Sequence, residues 1–257
     1  MKEKMKAFFK QIKWWEYTFM SVFIVAIVVS GIVFKSAALT IFCSLFGIVG
    51  VFFIAKGMLI GQMISIVYGA LYATMSYFNH LYGEMIVTLA VTIPLYIATI
   101  ISWMRNSSKK DKVVKVNKSL SVLEWCLFFV ISVGVGVGMY FMLRAFKTAN
   151  LLISTFSVVA LCMAGYLVVR RCEYNFIFYI LSNIIGICLW MFTIIKESNI
   201  TYIPTIILFC VLLFLNIFGM ITWIKIKHIQ NLRKKVVKKR AQKRLVMDTD
   251  YMKEQGK

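Results

Sequence analysis

Eight runs of roughly 20 apolar residues, parted by short polar breaks, constrain this chain more than any other feature, because a bilayer core of about 30 Å is crossed by a helix of about that length. The runs fall at 16–34, 37–55, 59–78, 81–104, 122–146, 150–169, 174–195 and 200–225. Inside lipid every backbone polar group must be satisfied within the protein, which leaves helices or a closed barrel of alternating strands. No period-two alternation runs through these segments, so the expected class is all-α, integral to the membrane, with eight transmembrane helices. With 61% hydrophobic residues, a water-soluble domain would have to expose much of this apolar surface.

The net charge of +20 would suggest a nucleic-acid partner in a soluble protein, so the placement of the charges matters. If the first span starts in the cytosol, 26 of the 30 Lys and Arg fall on that side, and only Lys35, Arg144, Lys147 and Lys196 fall on the other. Cytosolic loops of membrane proteins carry such an excess, so the charge reports orientation, with both termini cytosolic and no nucleic acid expected. The apolar run behind the basic N-terminus is longer than that of a cleavable signal peptide, so it reads as a mature helix. Cys43, Cys126, Cys162, Cys172, Cys188 and Cys210 are scattered singly through the spans. His80 and His228 fall at different depths. Neither disulfides, a metal site nor a cofactor is expected.

The polar break from Arg105 to Ser121 divides the chain, and similar letters recur across it. Ile64-Ser65-Ile66-Val67-Tyr68-Gly69 stands beside Leu181-Ser182-Asn183-Ile184-Ile185-Gly186, and each half later closes a helix on Ile-Ser-Trp-Met (101–104) or Ile-Thr-Trp-Ile (221–224). This pairs spans two to four with six to eight, a parallel 3+1+3 repeat with an extra N-terminal helix. The expected units are 1–36 (cytosolic N-terminus and accessory first span), 37–104 (first triplet), 105–149 (cytosolic loop and connecting fifth span), 150–225 (second triplet) and 226–257 (basic cytosolic tail).

Four spans carry polar and aromatic residues at helical spacing. In the third these are Gln62, Ser65, Gly69, Tyr72 and Ser76, and in the fourth Thr88, Thr92, Tyr96, Thr99 and Trp103. In the seventh they are Phe176, Tyr179, Asn183, Gly186 and Trp190, and in the eighth Phe209, Asn216, Gly219 and Trp223. Small and hydroxyl residues in such stripes serve interhelical packing as well as ligands. An amide in hydrocarbon is different, because Asn183 and Asn216 must face protein, water or ligand. Asn183, near the midplane between Tyr179 and Trp190, suits a flat heteroaromatic ligand, with further stabilisation if that ligand is a cation.

No Asp, Lys, Arg or His stands at a midplane position, and the glutamates Glu16, Glu84, Glu124, Glu173 and Glu197 sit near span ends. A proton or sodium relay normally uses such a residue, so ion coupling is not expected. There is neither a phosphate-binding G-x-x-x-x-G-K-[ST] loop nor a catalytic set at one depth, so the chain is not expected to be an enzyme.

Several motifs resemble those of the PnuC vitamin transporters, over nearly the whole chain from Trp14-Trp15-Glu16 to Trp223. They are Ala55-Lys56-Gly57, Tyr68-Gly69-Ala70-Leu71-Tyr72-Ala73, Leu81-Tyr82-Gly83-Glu84, Pro94 followed by Trp103, Arg170-Arg171-Cys172-Glu173, and an aromatic pattern ending in an amide at Phe176, Tyr179 and Asn183. That family more usually has tryptophan at the two aromatic positions. The resemblance implies a 3+1+3 fold related to the SWEET sugar transporters, in a bacterial inner membrane, carrying nicotinamide riboside inward while a cytosolic kinase traps it by phosphorylation. Relatives carrying thiamine or nucleosides keep those substrates open, and a non-transporting membrane subunit is the alternative of another class. The substrate-binding residues expected are Asn183, Tyr179, Trp190, Tyr72 and Tyr96, with Phe176, Gln62 and Asn216 beside them. A homo-oligomer is allowed by this reading.

Overall fold

The structure, a computed structural model, describes residues 13–78, 82–107, 113–117, 120–146, 151–197 and 200–255. Its helices are α1 (Trp14–Val33), α2 (Ala38–Ala55), α3 (Leu59–Phe78), α4 (82–105), α5 (Val122–Ala145), α6 (Leu151–Val169), α7 (Asn175–Glu197) and α8 (Ile203–Gln255). Each contains a segment long and apolar enough to span a bilayer, as the eight apolar runs imply. His80 lies outside the described residues.

Two helices differ from expectation. The fourth is interrupted by a π-helical turn, Thr88–Thr92, directly before Pro94. Proline has no N–H to give the carbonyl four residues back and its ring crowds that carbonyl, so the backbone widens by one residue there. The eighth does not stop at 225 but runs on to Gln255. Hydropathy ends where the membrane does, whereas the Lys, Arg and Gln of the tail are good helix formers and carry the helix into water.

Helix packing follows a closed path. α2 packs on α3, α3 on α4, α4 on α6, α6 on α7, α7 on α8 and α8 back on α2. These six form a ring. α1 lies outside it against α2 and α8, and α5 lies outside it against α6. Only 11% of the α5 span is buried, against 44% for α2 and for α6, so α5 turns most of its surface to lipid. Phe19 and Phe23 of α1 stack edgewise on Phe214 of α8. On the other flank Phe128 of α5 meets Tyr166 of α6 and Phe178 of α7.

The starts of α1, α3, α5 and α7 and the ends of α2, α4 and α6 share one end of the bundle, which carries most of the basic residues. There the two halves of the chain make matching bonds. Trp103 of α4 donates its indole N–H to the Val168 carbonyl of α6 (3.1 Å), and Trp223 of α8 donates to the Ile54 carbonyl of α2 (3.0 Å). Both α2 and α6 close through the same two backbone bonds, Gly57 to Ile54 and Met58 to Phe53 in one, Arg171 to Val168 and Cys172 to Leu167 in the other. The turning residue is left-handed in each, Gly57 at φ 68° and Arg171 at φ 57°. Glu16, in the first turn of α1, pairs with Lys56, and Glu124, in the first turn of α5, pairs with Arg170. Both glutamates also accept the backbone N–H three residues before them, from Lys13 and Ser121, each at 2.9 Å.

Candidate functional site

Between α3, α4, α6 and α7 lies a cavity lined by Gln62 of α3, by Val91, Thr92, Leu95, Tyr96 and Thr99 of α4, by Leu161, Cys162, Gly165 and Val168 of α6, and by Tyr179 of α7. The π turn and the helix that follows Pro94 thus supply one whole wall. Gly165 supplies the close approach opposite, since a Cβ there would stand 2.7 Å from Leu95 Cδ1. The empty space, which is partly open, is ≈ 340 Å³, but it is narrow, wide enough at its centre for about one water. A flat bicyclic or glycosylated ring enters only if the walls part.

The cavity reaches the midplane and extends from there toward the basic end. Tyr96 stands nine residues before the basic end of α4 and Gln62 three residues past the start of α3. At 1.5 Å per residue these lie about 14 and 5 Å in from that end, and Val91 and Thr92 lie deeper still on α4, so the cavity runs from the basic end to about the midplane.

Of the residues expected to bind substrate, Gln62, Tyr96 and Tyr179 come together on the cavity wall. Asn183 lies one turn beyond Tyr179 along α7, toward the opposite end, and is buried. Phe176 is fully buried, its ring edge-on to Trp223 at 5.4 Å and in the space a Cβ on Gly219 would need. It is packing at the basic end. Asn216 gives its amide N–H to the Leu212 carbonyl of its own helix (2.9 Å) and does not line the cavity. Tyr72 stacks near Tyr68 with ring centroids 5.9 Å apart, and it and Trp190 lie still farther toward the opposite end.

Two polar atoms, one on the cavity wall and one a turn beyond it along α7, point to more than a packing gap. Gln62 Oε1 and Asn183 Nδ2 are buried without a hydrogen-bond partner among the described residues. Leaving such a group unmet costs about 1–3 kcal/mol, so a site that retains two of them gains when a ligand or water supplies the missing bonds. One offers an acceptor and the other a donor, and Tyr96 and Tyr179 add two flat rings. All side chains of the lining are neutral. Sequence patterns place Thr92 and Thr99 on a stripe that serves packing as well as ligands. Val91, Leu95, Leu161, Cys162, Gly165 and Val168 were not foreseen, and the mid-span Pro94 was the one signal that this wall is unusual.

Comparison with known proteins agrees with this architecture. Residues 37–225 match the family model described as nicotinamide mononucleotide transporter. A protein of Neisseria mucosa named nicotinamide riboside transporter PnuC is 29% identical over 185 residues, covering 70% of this chain and 69% of that one. The crystal structure of the vitamin B3 transporter PnuC superposes with a TM-score of 0.73 at 24% identity, over 84% of this chain and 93% of that chain, and shares the fold. The matched region takes in α2 to the membrane part of α8, and with it the whole ring and its cavity, so this chain belongs to the nicotinamide mononucleotide transporter family, a family of membrane transporters and not of enzymes.

Proposed function

We propose that the chain takes up nicotinamide riboside, or a closely similar vitamin precursor, by facilitated diffusion, with its basic end in the cytosol. The observation that carries this is the unpartnered buried amide oxygen of Gln62 on the wall shared with Tyr96 and Tyr179, with the unpartnered amide nitrogen of Asn183 one turn beyond Tyr179 on α7. A carboxamide-bearing aromatic ring has one donor group and one acceptor group to offer them, and the rings stack on its faces. The family description names the mononucleotide and the Neisseria relative's name the riboside. A neutral lining favours the riboside, because a phosphate brought into a dry cavity needs Arg or Lys to balance its charge. The same neutrality gives no proton or sodium relay in the cavity wall, so the gradient would come from phosphorylation by a cytosolic kinase.

We further infer that the two halves are a parallel duplication. The notion is supported by the matched indole bonds, helix ends and ion pairs, and by a packing path in which α2 and α8 meet as α6 and α4 do. Glu16 and Glu124 match as well, which supports a repeat that takes in α1 and α5 beside the two triplets.

The test is binding followed by flux. Nicotinamide riboside should raise the unfolding temperature of the purified protein, with thiamine and uncharged nucleosides weaker or silent. In proteoliposomes it should equilibrate without any ion gradient. Asn183→Ala and Gln62→Ala should each lower uptake by roughly tenfold or more while the protein stays folded, since each removes a bond of about 1.5 kcal/mol to a partly charged ligand. Stabilisation by thiamine alone would move the substrate, and undiminished uptake by both variants would retire the site. Accumulation against a gradient driven by protons or sodium would overturn the mechanism.

A further inference from the structure

The basic end of the cavity is shut by a layered plug. Its inner layer is Trp103 and Trp223, from the two halves, both almost wholly buried with ring centroids 5.6 Å apart and Phe176 set against the second. Val168 joins plug to cavity, because its side chain lines the cavity while its carbonyl holds the Trp103 indole.

The outer layer is the segment 113–117, which crosses the bundle beneath the tryptophans. Val114 and Val116 are buried in one cluster with Ile54, Trp103, Val168, Phe176 and Trp223. The segment is tied to both halves at matching places. Val114 N–H donates to the Gly57 carbonyl (3.0 Å) and Asn117 N–H to the Arg171 carbonyl (2.9 Å), the two left-handed turns that end α2 and α6. The Gln230 amide, on the extension of α8, grips it from below, donating to the Val114 carbonyl and accepting from Val116 N–H, each at 3.0 Å. Solute leaving the cavity through this end must displace all of it.

We propose that residues 113–117, seated on the Trp103–Trp223 pair and clamped by Gln230, are the inner gate of the transport path. This rests on reading the chain as a transporter with its basic end in the cytosol. Since Gln230 lies on the continuous α8, any shift of α8 relative to the other five ring helices moves clamp and Trp223 together, so release of the strap and parting of the indoles are one event. The bonds holding the gate are few and replaceable by water, which suits an element that must open in every cycle.

Cys162, in the cavity wall, reports opening from within. In full-length protein with Cys162 as its one cysteine, reconstituted in vesicles, a membrane-impermeant methanethiosulfonate reagent is applied to the basic face or to the opposite face. Gln230→Ala removes two hydrogen bonds outside the membrane core, and Trp103→Phe with Trp223→Phe removes the two indole donors. Each should speed labelling from the basic face about tenfold or more, the change that losing two ordinary hydrogen bonds makes in an opening equilibrium, and leave labelling from the opposite face unchanged. An unchanged rate from the basic face in Gln230→Ala, or an equal rise from both faces, overturns the gate whether or not the double tryptophan variant folds. Labelling needs no substrate, so a gate response with no riboside binding would sink the functional reading alone, and riboside uptake with no labelling response would sink the gate alone.

Discussion

The same ion pair is built twice in this molecule, once in a dry setting and once in a wet one. Glu16 is 2% exposed, and both its carboxylate oxygens stand 2.8 Å from Lys56 Nζ. In the second half the side chains of Arg170 and Glu124 are 39% and 34% exposed. The difference arises outside the ring. α1 lies in the notch between α2 and α8 and covers its glutamate, while α5 touches mainly α6 and leaves its own open to solvent. Matched geometry therefore does not mean matched energy. Removing one partner of a buried pair strands a charge in a poor solvent, whereas water takes over for an exposed one.

The largest expected effect tests this difference directly. Glu16→Ala should lower stability by about 3–5 kcal/mol, the usual outcome of breaking a buried pair, and Glu124→Ala by about 0–1 kcal/mol. Thermal unfolding of the two variants in the same detergent measures both. Equal losses would mean that α5 shields its pair as well as α1 does, and would erase the contrast between the halves.

An intermediate effect is expected where the halves are both dry. Trp103→Phe and Trp223→Phe each leave a buried carbonyl without its indole donor and each leave a small void, at a cost of about 2–3 kcal/mol apiece. The loss at Trp223 should be the greater by a few tenths to one kcal/mol, because its ring also meets Phe176 edge-on. A much larger loss at Trp103, measured by the same unfolding assay, would show that the α4–α6 contact carries more of the bundle than the α2–α8 contact.

These contrasts also mark where the sequence was readable. Eight spans were legible because length and apolarity are local properties, and Trp103 and Trp223 were legible because both halves keep the same letter in the same setting. The likeness of α1 and α5 was not. It lies in Glu16 and Glu124 and in three aligned valines behind them, Val22 with Val130, Val25 with Val133 and Val29 with Val137, letters too common in apolar runs to signal a repeat. The walls of the cavity were hidden too, because they depend on where α4 and α6 touch, at Leu95 and Gly165, and on a π turn whose only trace is Pro94. Asn216 and Phe176 have the right letters for a binding wall, yet packing uses them elsewhere. A stripe on a helix says which side faces protein and leaves open whether that protein is packed or parted.

The left-handed turns that seat the strap give the smallest and most pointed comparison. Glycine adopts this conformation freely, whereas a residue with a Cβ is strained by about 1–2 kcal/mol there. Gly57→Ala adds that strain and sets a Cβ 2.9 Å from Val113 Cγ1 at the edge of the strap, so a loss of about 1–2 kcal/mol is expected. Arg171 already bears the strain, and burial together with the adjacent Arg170 charge pushes its pKa down, so its guanidinium is held as a cation at some cost. Against this it donates to the Lys115 carbonyl of the strap at 3.3 Å, a long bond. Arg171→Gly should therefore leave thermal stability within about 1 kcal/mol of the parent, or raise it, because relief of the backbone offsets one weak hydrogen bond. If it falls further than Gly57→Ala does, the guanidinium and not the turn holds the strap on the second half, and the two seats are alike only in their backbones.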